Sequence, residues 1–199
     1  KMATTPQPVP SSIASAQAFL AQEEIPGWLI HDYRSSNPIF RQVITASGHV
    51  TRPVFLFVPL SAPSTLLTHH VDAGKFSQSG VEIRVYRNRD EMVEQLAAML
   101  TGVKTVAMEY SPQGALPRVS RVDAGTVELV RSLGVEVITS ADLMQFVTQR
   151  WTPSGLEIEG LDDGRGAGAP QEPPRSPPGA PRGSLWSLFG GSWGLLGTL

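Results

Sequence analysis

The chain has 199 residues, 16 Lys and Arg against 18 Asp and Glu, a formal net charge of −2, and no cysteine. That length supports one well-buried core with appendages and leaves little room for a second full domain. Disulfides and thiolate metal sites are excluded, a reducing cytoplasmic location is expected, and basic side chains too scattered to form a stripe argue against a nucleic-acid partner.

Residues 1–12, KMATTPQPVPSS, are broken by prolines and lack the apolar stretch of a signal peptide, so they read as a flexible leader. No run reaches the roughly 18 apolar residues of a membrane helix, so no membrane association is expected. From Ile13 to Glu24, the residues Ile13, Ala16, Phe19 and Leu20 fall on one helical stripe, with Ser12 as the expected N-cap and Pro26-Gly27 as the stop. WLIHDY (28–33) is a short apolar run of the length of a buried strand. Asn37 followed by Pro38 fits an N-cap and the first helical position, which starts a short helix to about Thr45.

Pro53 to Pro59 and Thr65 to Val71 are rich in β-formers and separated by Ser-Ala-Pro-Ser, a predicted hairpin. VEIRVY (81–86) alternates as a strand with one solvated face does. Met92, Leu96, Met99 and Leu100 then mark a helix that Gly102 ends. TVAMEY (105–110) predicts a fifth strand, Asp123 to Leu133 a helix closed by Gly134, VEVITS (135–140) a sixth strand and Ala141 to Trp151 a last helix. This order predicts a three-layer α/β/α domain around a mixed sheet of about six strands, with functional loops at the carboxyl ends of parallel strands.

Composition changes after Thr152. Beyond it lie 11 of the 19 glycines and 7 of the 17 prolines, without helical or strand periodicity. Such a segment buries too little apolar surface to offset its chain entropy, so 152–199 is expected to be a disordered tail. Its apolar end, SLWSLFGGSWGLLGTL, reads as a sticky tail or, alternatively, a docking segment.

Three constellations carry chemistry. Arg34 and Asn37, in the segment DYRSSNP after the first predicted strand, are suited to hold a carboxylate or amide by directional hydrogen bonds. The plainer reading has Asn37 capping a helix and Arg34 paired with Asp32. Glu109, at the end of TVAMEY, reads as a loop-ordering carboxylate or a general base, and Ser120 or Asp123 as the cap of the following helix. His69-His70 is read as no metal site, because neighbours on a strand point to opposite faces. The HExxH, GxSxG and GxxxxGK[ST] signatures are absent, and GRGAG in the tail follows no strand.

WLIHDYRSSNPI, VAMEYSPQGALPRVSRVDAGTVELVRSLGVEVITSADLMQ and Trp151 together resemble the N-terminal domain of aminopeptidase P, prolidase and creatinase metallopeptidases, over 13–151. Two positions depart from the family pattern: Ser35 stands where it has Gly, and Arg118 where it has an aromatic. The resemblance implies a domain without catalytic or metal-binding residues, which narrows a neighbouring active-site cleft and supports a homo-dimer, with Arg34 and Asn37 as cleft contacts. A dinuclear Mn, Zn or Co centre, held by two Asp, one His and two Glu, is expected only in a catalytic domain that would begin after Trp151. The tail there reads as out-of-frame translation of a shortened gene product, and the chain by itself is expected not to be an enzyme. Two other functions fit the same residues: a subunit that completes Xaa-Pro hydrolysis with a separately encoded metal domain, and an independent α/β binding module.

Overall fold

In the computed structural model, which describes residues 10–148, six strands form one sheet: β1 (Gly27–Asp32), β2 (Val54–Pro59), β3 (Thr65–His69), β4 (Glu82–Tyr86), β5 (Thr105–Met108) and β6 (Glu136–Thr139). They lie in the order β4-β3-β2-β1-β5-β6. Only β2 runs against its neighbours; β3 with β4, β1 with β5 and β5 with β6 are parallel. The predicted hairpin is therefore β2 and β3, and the sheet is mixed as the sequence predicts.

Five α-helices cover both faces: α1 (Ser11–Gln22), α2 (Pro38–Val43), α3 (Arg89–Met99), α4 (Ala124–Ser132) and α5 (Ala141–Thr148). Every residue of β1 is buried, which is why it reads as a continuous apolar run rather than an alternating one. Its side chains nonetheless alternate between two cores. Trp28 and Ile30 pack with Ile13, Leu20, Phe40 and Leu143 under α1, α2 and α5. Leu29 packs on the other face with Leu67, Leu96, Val106 and Val130 under α3 and α4. The register Ile30↔Leu56 and His31↔Phe55 fixes this division, since a slip by one residue would exchange the two faces. Gly27 opens β1 because a Cβ there would collide with the ring of Phe57, which fills that space. Among the described residues no helix is long and apolar enough to cross a membrane.

The helices and strands depart from the sequence reading in four ways. Ser12 does not cap α1. The Pro10 carbonyl already accepts from Ile13 N and Ala14 N, so the helix begins at Ser11 and places Ser12 inside the first turn. Its hydroxyl instead donates to Val43 O at 2.9 Å, tying α1 to the end of α2. Helices end sooner than predicted, α1 at Gln22 and α2 at Val43. Strands also stop early, leaving Tyr33, Glu109, Tyr110 and Ser140 outside the ladder; β5 runs only from Thr105 to Met108, the residues that face β6. Finally, β3 ends at His69, so the opposite-face argument does not apply to His70, and the two imidazole rings lie 4.3 Å apart. The leader, the boundary at Trp151 and the tail lie outside the described residues, apart from Pro10 to Ser12.

Candidate functional site

Because β1, β3, β4, β5 and β6 point the same way, their carboxyl ends share one edge of the sheet, where α/β folds place ligand-contacting loops. The loops after β1 and β5 meet at that edge through Glu109. Its carboxylate is fully buried and accepts three hydrogen bonds, from Trp28 Nε1 at 2.6 Å, Ser140 Oγ at 3.3 Å and Asn37 Nδ2 at 3.3 Å. Its backbone carbonyl accepts from Arg121 N and Val122 N. One residue thus joins β1, the start of α2, the β6–α5 junction and the loop before α4. Burial pushes the Glu109 carboxyl up to about 7, against the opposing pull of the Trp28, Asn37 and Ser140 donors. A group without access to solvent, hydrogen-bonded by no acid or imidazole, orders loops rather than abstracting protons from a substrate.

Asn37 caps α2 as the sequence predicts, its Oδ1 accepting from Ile39 N at 3.0 Å. It does more than that. Its Nδ2 donates to His31 O at 2.8 Å as well as to Glu109, and its backbone N–H donates to Asp32 Oδ1 at 2.8 Å. At 1% exposure, its side-chain groups are spent inside the domain. The Asn-Pro pair made the cap legible, whereas the inward contacts depend on Glu109, 72 residues away in the chain.

Arg34 is exposed and, among the described residues, makes no ion pair, so the expected pairing with Asp32 does not form. Asp32 is buried, its Oδ1 taken by Asn37 N and its Oδ2 without a partner among the described residues. The backbone explains the separation: Arg34 and Ser35 both adopt left-handed conformations, at φ 59° and 56°, which turn the chain outward immediately after β1. Two successive non-glycine residues in that region store strain, a feature that clusters at functional loops. Ser35 is held there by its Oγ, which accepts from Val50 N at 2.9 Å. Arg118 is likewise exposed. Asp123, not Ser120, caps α4, through Thr126 N at 2.9 Å.

His69 is committed to local structure: Nε2 donates to Arg87 O at 3.1 Å and Nδ1 accepts from Val71 N at 3.3 Å. Among the described residues no group of three or more His, Cys, Asp or Glu is placed to hold a metal ion. They do not fit the dinuclear centre that the sequence resemblance implies for a catalytic domain. Sequence reasoning passed over His31. It is 7% exposed, its ring lies 4.8 Å from that of Phe55, and burial lowers its pKa below 6.5, opposed by the nearby charges of Asp123 and Asp32. The available signal was alternation: His31 follows Leu29 on the face of β1 that α3 and α4 cover.

No protein-family profile matches the sequence, and no curated protein does. Solved structures do match in shape. A creatinase/prolidase N-terminal domain of an X-Pro dipeptidase from Streptococcus pyogenes superposes with a TM-score of 0.53 at 13% identity, covering 68% of this chain and 97% of that one. This chain folds as a creatinase/prolidase N-terminal domain. The same creatinase/prolidase fold recurs in a prolidase from Pyrococcus horikoshii (TM-score 0.53, 14% identity, 74% of this chain) and in the dipeptidase PepE from Mycobacterium ulcerans (0.57, 18%, 74%). The chain spans about 38% of the length of each of those two proteins. In this creatinase/prolidase N-terminal fold the Arg34 loop and the Glu109 hub lie on one edge of the sheet, the first exposed and the second sealed.

Proposed function

We propose that this chain is a non-catalytic accessory domain of an Xaa-Pro aminopeptidase, prolidase or creatinase-like metallopeptidase, which shapes the substrate cleft of a catalytic domain and supports a dimer in the cytoplasm. The observation that carries this reading is the coverage of 97% of an isolated creatinase/prolidase N-terminal domain by residues that supply no metal-binding cluster among those described. In this reading the dinuclear metal belongs to the catalytic domain. Glu109 and Asn37 work from below, holding the loop after β1 at a fixed height. Arg34, exposed on that strained loop and in no ion pair among the described residues, is the group presented to a substrate carboxylate, for which a guanidinium offers paired donors.

The test is direct. The purified chain is incubated with an Xaa-Pro dipeptide in the presence of Mn²⁺, Co²⁺ or Zn²⁺, and no turnover is expected. Hydrolysis by the chain alone overturns the proposal. When it is mixed with a separately expressed catalytic domain of this type, stimulation that Arg34→Ala abolishes supports cleft shaping.

A further inference from the structure

On the face of the sheet opposite Trp28 and Ile30, residues of α3 and α4 line a cavity of about 380 Å³ at the carboxyl end of β1 and the amino end of β2. Its place follows from the topology. From β1 the chain lays β2, β3 and β4 to one side and then crosses to lay β5 and β6 on the other. At such a reversal the connecting helices diverge, and open α/β sheets bind ligands in the crevice that results.

The floor of the cavity is the cross-strand pair His31 and Phe55. The imidazole, although 7% exposed, makes no hydrogen bond to any described residue. Its ring nitrogens are absent from the sealed, unpartnered atoms of the domain, so the imidazole is open to whatever enters the cavity that it lines. Met92 and Leu129 supply apolar walls. Cationic side chains gather on one side of the rim. Arg89, the first residue of α3, stands between this cavity and a second, of about 390 Å³, lined by Arg52 and Arg87. Arg87 is only loosely engaged, 4.0 Å from Glu91. Both α3 and α4 also begin at the rim and turn their positive ends toward it. The one acid in the lining, Asp123, already accepts from Thr126 N and from Thr126 Oγ1.

We propose that this cavity binds a small organic carboxylate with a flat apolar body, its anionic head at Arg89 and its body over His31 and Phe55 between Met92 and Leu129. The site stands apart from the role proposed for Arg34 and does not depend on it. It is tested by titrating the full chain with benzoate, benzamide and benzylamine while following the ¹H–¹⁵N signals of the histidine rings. Benzoate is expected to shift the His31 signals saturably, with benzamide and benzylamine binding more weakly. Arg89→Gln, a change at an exposed position, is expected to weaken benzoate about tenfold, the loss of one charge-assisted hydrogen bond. Unchanged Trp emission and melting temperature establish that the variant is folded. The proposal is overturned if the His31 signals do not move, if benzamide or benzylamine binds as tightly as benzoate, or if folded Arg89→Gln retains full affinity.

Discussion

The indole N–H of Trp28 donates to Glu109 Oε1 across 2.6 Å, joining two residues 81 positions apart in the chain and closing the centre of the sheet over a buried carboxylate. Trp28 is itself fully buried, so neither group has water to fall back on. Replacing Trp28 by Phe removes that donor and leaves a void beside Glu109, and is expected to cost about 2–4 kcal/mol in urea unfolding. The cost should be smaller by about 1 kcal/mol in a Glu109→Gln background, because two residues sharing one bond do not act additively. Additive costs would mean that the bond carries no stability.

Glu109 also makes stability depend on pH. Its carboxyl titrates near 4.5 when unfolded and at about 7 when folded. A raised folded-state value means that the contribution is intact below pH 4.5 and is lost as the pH climbs through about 7. The loss is about 3 kcal/mol, at about 1.4 kcal/mol per pH unit. His31 runs the opposite way: its lowered pKa gives a contribution present above pH 6.5 and lost as the pH falls. Denaturation of the native chain and of Glu109→Gln at pH 5 and pH 8 separates the two. The native chain is expected to lose stability relative to the variant on going to pH 8; parallel behaviour would clear Glu109.

Asn37→Ala removes more than a cap. An ordinary N-cap deletion costs about 1 kcal/mol, whereas losing the bonds to His31 O and Glu109 as well brings the expected cost to about 2–4 kcal/mol. Asn37→Asp keeps the cap but faces a second carboxylate across 3.3 Å, so its penalty should grow as the pH rises through 7. Thermal melts of both variants at pH 5 and 8 provide the comparison.

Ser35 gives a test of backbone strain. Glycine relieves a left-handed residue by about 1 kcal/mol, and the Oγ bond from Val50 N is worth about the same. Ser35→Gly is therefore expected to be close to neutral, and Ser35→Ala, which keeps the strain and loses the bond, to cost about 1 kcal/mol. Equal stability of the two variants in urea would show that φ at this position carries no penalty.

Arg34→Ala should change stability by no more than about 0.5 kcal/mol, as expected of an exposed side chain without an ion-pair partner among the described residues. A larger loss on melting would mean that the guanidinium supports the loop rather than facing outward from it.

Local chemistry made much of this domain legible in the amino-acid order. All six strands, the β2–β3 hairpin, the cap Asn37, Asp123 as one of two cap candidates with Ser120, and the α/β/α layering follow from apolar periodicity and from residues whose preferences act over three or four positions. Two readings failed on backbone geometry within a few residues, and a third site was missed because its neighbours come from distant parts of the chain. Ser12 lost its capping role because Pro10 began the helix earlier, and its hydroxyl found Val43 instead. Arg34 did not pair with Asp32 because the left-handed turn separated them. His31 gained its interest only from Phe55 beneath it and from two helices that leave a gap above it. The sequence by itself determined the elements and the layers, since these depend on hydrogen bonds and burial patterns repeated along the chain. Only the tertiary structure decided that Trp28, Asn37 and Ser140 converge on Glu109, because these groups are 31 to 81 residues distant in sequence and meet it only when β1, β5 and β6 pair, where burial raises its pKa against the pull of their donors.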